Sequence, residues 1–146
     1  MIRIDFSESV DGPTLWVIID RREDFVPFRE LILDLSDGTL DEVELRSRPE
    51  LFLLWPHIAN VELAAVAPSM RNGITVLGGE ESCKLSWKLS GEDWNEVLDK
   101  VDALNHEPPN GHQYFDYRNV TVVVSFMEKL RDVPFPSSRS KSELKQ

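Results

Sequence analysis

Cysteine and long hydrophobic runs are both scarce in this chain of 146 residues. Its single cysteine, Cys83, has no partner for an internal disulfide, and no Cys/His cluster with zinc-binding spacing accompanies it. No apolar run approaches the roughly 18 residues of a membrane-spanning helix, and residues 1–5 lack the basic and apolar regions of a secretory signal. The sequence therefore predicts a cytoplasmic protein with no metal, no cofactor and no membrane partner.

Basic residues are also few. The chain has 16 Lys and Arg against 26 Asp and Glu, which gives a formal net charge of −10. Nucleic acids and anionic membranes attract proteins through Lys and Arg, so this charge argues against both as partners. The acidity can serve solubility alone, or it can form a face that steers a basic protein partner into contact.

Catalytic fingerprints are missing as well: we find no GxSxG, HExxH, phosphate-loop, kinase or dinucleotide-binding pattern. The composition, with 41% hydrophobic and 29% charged residues, is that of a globular protein. Its length suits one core, which we place in residues 1–132. Residues 133–146 are rich in serine and proline with little to bury, so we expect a disordered polar tail there.

Strand patterns open the front half. Ile2, Ile4 and Phe6 alternate with polar residues, which predicts an edge strand, and the apolar run 15–19 predicts an interior strand paired with it. Residues 24–36 have helical spacing, although the dipeptide Asp37-Gly38 leaves a hairpin at this point as an alternative. Segment 40–67 has no clean period and indicates strands only weakly.

The back half has clearer patterns. Residues 83–89 alternate as a strand, and Ser90 is placed to cap a helix over residues 90–104. Two further strands are predicted at residues 112–117 and 120–126, the second of them central in its sheet. Together these elements predict an α+β fold: a mainly antiparallel sheet with about two helices packed on one face.

Carboxylates dominate the predicted exposed side of the back-half helix, and two more precede the strand before it. We therefore expect a partner-binding surface for a basic protein that includes Glu80, Glu81, Glu92, Asp93, Glu96, Asp99 and Asp102. A charged helix face can also be merely solvated.

Three other residues have the types needed for acid-base chemistry. His112, Tyr114 and Asp116 alternate along a predicted strand, so their side chains would share one face. The alternative function is thus a small enzyme or ligand-binding protein that uses this face, while the structural interpretation is that the three side chains fix neighbouring strands. A third interpretation is self-association through the apolar residues 51–55.

The segments Ser86-Trp87-Lys88-Leu89-Ser90 through Trp94, Gly111 to Asp116 and Val122 to Glu128 form a pattern in the back half. This pattern resembles small bacterial proteins of unassigned function, some of which are similar to immunity proteins of polymorphic toxin systems. The resemblance implies binding and neutralisation of a toxin domain, without chemistry or a cofactor. It does not extend to residues 1–70.

Overall fold

A computed structural model describes residues 1–9, 12–70, 72–79, 81–108 and 111–126. The predicted domain boundary at residue 132 and the predicted tail 133–146 lie outside these residues. The elements, in chain order, are β1 (Ile2–Ser9), β2 (Gly12–Ile19), α1 (Phe25–Asp37), β3 (Glu42–Glu44), β4 (Phe52–Leu54), β5 (Ile58–Val66), β6 (Gly73–Gly78), β7 (Cys83–Ser90), α2 (Gly91–Asn105), β8 (Gly111–Asp116) and β9 (Thr121–Phe126).

The described strands form two mixed sheets. Sheet A has the order β4-β1-β2-β9-β8, and sheet B has the order β3-β5-β7-β6. The α+β class with two packed helices is confirmed, but the prediction of a single sheet is wrong, and both sheets are partly parallel. The pairs β1 with β4, β2 with β9 and β5 with β7 are all parallel. Local patterns predict hairpins between neighbours in the chain, whereas these parallel pairs join strands that are distant in sequence.

The strand β1 is not at an edge, because the short strand β4 pairs along its outer side. The predicted hairpin of β1 and β2 is confirmed, with Ile4 opposite Val17 and both side chains in the core. The strands β2 and β9 have partners on both sides, as their apolar character predicts.

The structure has helix α1 at Phe25–Asp37, so the alternative prediction of a hairpin at this point is wrong. Gly38 follows the helix with a left-handed φ of 84°, which is the usual way for a glycine to end a helix. Pro27 lies in the first turn, where its missing N–H is tolerated. The dipeptide that indicated a hairpin turn therefore marks the end of a helix.

The two helices run antiparallel, because Arg29 of α1 pairs with Asp102 near the end of α2, and Gly91 at the start of α2 lies against the Ser36 carbonyl near the end of α1. Their apolar sides enter one core shared by both sheets. On sheet A, the Phe25 ring of α1 meets Phe126 edge-on at 5.0 Å. The apolar side of the helix pair is thus packed against the sheets, and its opposite side is exposed.

No helix within the described ranges is both long enough and apolar enough to cross a membrane.

Candidate functional site

Helix α2 begins where its sequence predicts. The Ser90 hydroxyl accepts a hydrogen bond from the Asp93 backbone N–H at 3.2 Å, which caps the first turn. On the buried side, the Trp94 indole N–H donates to the Ala64 carbonyl at 2.8 Å, and the ring packs on Trp87 with centroids 4.9 Å apart. These contacts fix the rotation of the helix and therefore decide which side chains are exposed.

The carboxylates of α2 divide into two groups. Asp102 forms an ion pair with Arg29 at 2.8 Å, and Asp93 accepts a hydrogen bond from the side chain of Asn72. The other three, at i, i+4 and i+7, are exposed and make no ion pair with any described residue: Glu92, Glu96 and Asp99. This spacing places them along one side of the helix.

Helix α1 adds further acidic groups beside α2, which the sequence interpretation missed. Glu30 and Asp37 are exposed, and hydrogen bonds from Thr39 lower the pKa of the Asp37 carboxyl. We use the name helix layer for the exposed side of α1 and α2, whose exposed carboxylates are Glu30, Asp37, Glu92, Glu96 and Asp99. A count of charge over both predicted helices would have found the contribution of α1.

The cations of the helix layer are already engaged. The two helices contain eight carboxylates but only one arginine and one lysine. Arg29 is paired with Asp102, and the Lys100 ammonium donates to the Tyr114 carbonyl at 3.0 Å and lies 4.8 Å from the centre of the Phe115 ring. Neither cation is therefore directed at the exposed carboxylates, which keep their charge uncompensated.

The predicted loop residues do not join this surface in the described structure. Glu80 lies outside the described residues. Glu81 is exposed just before β7, whereas Glu92 follows the other end of that strand. Eight residues of extended chain separate the two ends by about 25 Å. The structure thus separates Glu81 from the start of the helix layer.

The residues His112, Tyr114 and Asp116 share the outer face of β8, and all three are exposed. His112 Nδ1 lies 2.9 Å from the Ser125 hydroxyl, and Asp116 accepts a hydrogen bond from the Thr121 hydroxyl at 3.2 Å. Both contacts join β8 to β9. These contacts are those expected of side chains that fix neighbouring strands.

A buried carboxylate was not predicted at all. Asp5 is fully buried although its strand alternation indicates a solvated face. Its Oδ1 accepts from the Phe6 backbone N–H at 2.8 Å and lies 3.7 Å from His57 Nε2. The residues after β4 cover it, and no local sequence signal indicates that cover. His57 is thus part of a tertiary contact.

The thiol of Cys83 is buried, with 4% of the residue exposed. Burial, and then the charge of Asp5, raise the pKa of this thiol. A raised pKa reduces the thiolate fraction that nucleophilic chemistry requires. In this environment Cys83 serves as a small buried hydrophobic residue.

The chain matches no family model, no curated protein and no solved structure. The resemblance of residues 86–128 to immunity proteins therefore stays a prediction.

Proposed function

We propose that this protein is a non-enzymatic binding domain whose helix layer docks on a basic surface of another protein. The observation that supports this most directly is the group of exposed carboxylates at Glu92, Glu96 and Asp99, which make no ion pair with a described residue. They lie on a helix whose rotation is fixed by the buried Trp94. Fixed like charges form a surface of one sign without any rearrangement on binding.

The energetic consequence of such a surface lies mainly in the rate of association. Like charges on one face attract an oppositely charged partner over about a Debye length, which is roughly 10 Å in 0.1 M salt. Complementary charge raises association rates well above the values of uncharged pairs and suppresses wrong partners. A partner with a Lys- and Arg-rich face is the chemistry that these carboxylates favour.

The resemblance of residues 86–128 to immunity proteins supports a more specific form of this proposal. In that form the partner is a toxin domain whose basic surface is covered by the helix layer, and the domain acts as an inhibitor. The start of α2, residues 91–94, lies within the resembling segments, so the resemblance and the charge overlap in the part of the helix that contains Glu92.

The test compares three forms of the full chain as bait in a lysate of the native host. One variant neutralises the helix layer through Glu92→Gln, Glu96→Gln and Asp99→Asn. A matched control neutralises three exposed carboxylates outside the helices, through Glu8→Gln, Asp41→Asn and Glu50→Gln. Both variants change the net charge by the same amount, so only the position of the charge differs. Bound proteins are identified by mass spectrometry at low and high salt.

We expect one basic protein to be retained by the unmodified chain and by the control, and to be lost from the helix-layer variant. Its association rate, measured with the purified protein, should fall steeply as salt increases. Equal retention by the helix-layer variant would refute the docking site. An association rate that does not depend on salt would refute the electrostatic basis.

The alternative function uses the face of His112, Tyr114 and Asp116. The serine hydroxyl nearest to His112 belongs to Ser125, which is 2% exposed, so it is closed to a substrate. His112→Ala and Asp116→Ala should therefore lower stability through lost contacts with β9 and leave partner capture unchanged. If these variants lost partner capture but kept their stability, the binding site would be this face and not the helix layer.

A further inference from the structure

A surface cleft of about 360 Å³ lies on the far side of β7 from its pairing with β5. It is formed by β6, the end of β7 and the turn between β8 and β9. Its polar lining consists of Asn72, Thr75, Lys88, Arg118 and Asn119. The volume is within the usual range for small-molecule sites, which is about 300–1,000 Å³.

Two features build this cleft. The Asn119 side-chain amide donates to the Ile74 carbonyl at 3.1 Å, which ties the turn of sheet A to the edge strand of sheet B. Gly73 pairs opposite Lys88, and a Cβ atom added at Gly73 would meet no heavy atom within 4 Å. The missing side chain thus leaves open space beside the lysine.

The charge of the cleft is opposite to that of the chain. Lys88 and Arg118 are exposed, and neither side chain makes an ion pair or hydrogen bond with a described residue. The carboxylate of Asp93 lies beside the lining: it accepts a hydrogen bond from the Asn72 side chain, whose oxygen accepts from the Ser90 backbone N–H at 3.2 Å. In a chain of net charge −10, two uncompensated cations facing one cleft form a local basic site.

We propose that this cleft binds a compact oxyanion, the phosphate group of a small phosphorylated molecule. A guanidinium presents a planar fork of donors that matches two phosphate oxygens, and an ammonium acts as a point charge beside it. The Thr75 hydroxyl supplies a neutral donor at the same cleft. The proposal is independent of the docking function, because the lining residues belong to sheet edges and loops and not to the helices.

The test is an NMR titration of the full chain, labelled with ¹⁵N, with sodium phosphate at a constant ionic strength set by sodium chloride. We expect saturable shifts of the backbone amides at Thr75, Lys88 and Asn119. The variants Lys88→Gln and Arg118→Gln should each weaken phosphate binding at least fivefold. Lys84→Gln is the matched control, since Lys84 is an exposed lysine of the same strand outside the lining. It should leave binding unchanged.

A variant of opposite sign sharpens the test. Asp93→Asn removes the nearby negative charge while keeping an acceptor for Asn72, so phosphate binding should become two- to fivefold tighter. A parallel titration with glycerol 3-phosphate distinguishes the two sources of the anion: tighter binding of the ester indicates a phosphorylated molecule, and tighter binding of phosphate indicates the free ion. The absence of saturable shifts with either probe, or equal weakening by Lys84→Gln, would overturn the proposal.

Discussion

The helix layer and the cleft are two surfaces of one acidic chain, and their uncompensated charges have opposite signs. In the helix layer, Arg29 and Lys100 are engaged by neighbours and the carboxylates are left exposed. In the cleft, Lys88 and Arg118 are the uncompensated groups. Net charge therefore does not describe either surface. The local pairing of each side chain decides the sign that a partner or ligand meets.

The largest effect on this comparison should come from removing the anchor of the helix layer. Trp94 is fully buried and joins α2 to sheet B through Ala64 and Trp87. Trp94→Ala should lower the free energy of unfolding by about 3–5 kcal/mol, as expected for a large buried aromatic side chain. Urea denaturation measures this loss.

Trp94→Phe is the control for this anchor, because it keeps an aromatic ring while it removes the hydrogen bond to Ala64 and part of the buried indole volume. It should be clearly less destabilising than the alanine variant. A loss below about 1 kcal/mol for Trp94→Ala would show that α2 is held by other contacts. The helix layer would then not be a fixed platform for its charges.

The next largest effect is the dependence of folding stability on pH that Tyr117 causes. This residue precedes Arg118 of the cleft in the sequence. Burial of the phenol is the main cause that raises its pKa to about 12; the neighbouring Trp87 indole N–H acts in the opposite direction, and the charges of Asp93 and Glu96 raise the pKa further. The unfolded phenol has a pKa of about 10. The stabilisation that follows from the raised pKa of Tyr117 is therefore fully present below pH 10 and is lost as the pH rises from 10 to 12.

The chain has two tyrosines, so Tyr114→Phe leaves Tyr117 as the only phenol. An ultraviolet titration of this variant should give a midpoint near pH 12. Addition of Glu96→Gln should lower the midpoint, because the charge of α2 acts on the phenol. A midpoint near 10 would show that Tyr117 is solvated and that the two regions are not coupled through it.

A smaller effect is expected from the cap of α2. Ser90→Ala removes the acceptor of the Asp93 N–H and should cost about 1 kcal/mol of stability, measured by thermal denaturation. Ser86→Ala, on the outer face of the same strand, is the control and should cost less. Equal melting temperatures for the Ser90 variant and the unmodified chain would contradict the cap.

The sequence predicted α1, α2 and the strands β1, β2, β7, β8 and β9 because local periodicity and caps encode them. The apolar stripe of α2 and its cap at Ser90 were sufficient on their own. Strand β5 was indicated only weakly, since the apolar residues of Ile58–Val66 have no clean alternation. The parallel pairing of β2 with β9 joins Thr14 to Thr121, and no local pattern encodes a contact across such a distance.

The candidate sites divide in the same way. Periodicity predicts that Glu92 and Glu96 are on the outer side of α2, but it cannot identify which carboxylates find a partner on another element. Asp102 meets Arg29 and Asp93 meets Asn72 only after the chain has folded. The cleft depends on the contact of Asn119 with Ile74, which joins two sheets. Tertiary neighbours, and not spacing, determine these features.

The smallest expected effect is a difference in stability between variants of two carboxylates, Asp99 and Asp102, that lie three residues apart on α2. Asp102 pairs with Arg29 at 2.8 Å while both side chains remain about a third or more exposed, so Asp102→Asn should cost less than about 1 kcal/mol. Asp99 has no ion pair with a described residue, and Asp99→Asn should leave stability unchanged or slightly raised because it relieves repulsion with its neighbours.

Chemical denaturation of both variants at low and high salt gives the comparison. The Asp102 loss should shrink in high salt, since screening weakens an exposed pair. Equal losses for the two variants would mean that Arg29 serves both carboxylates, and the helix layer would then be less acidic than its exposed side chains indicate.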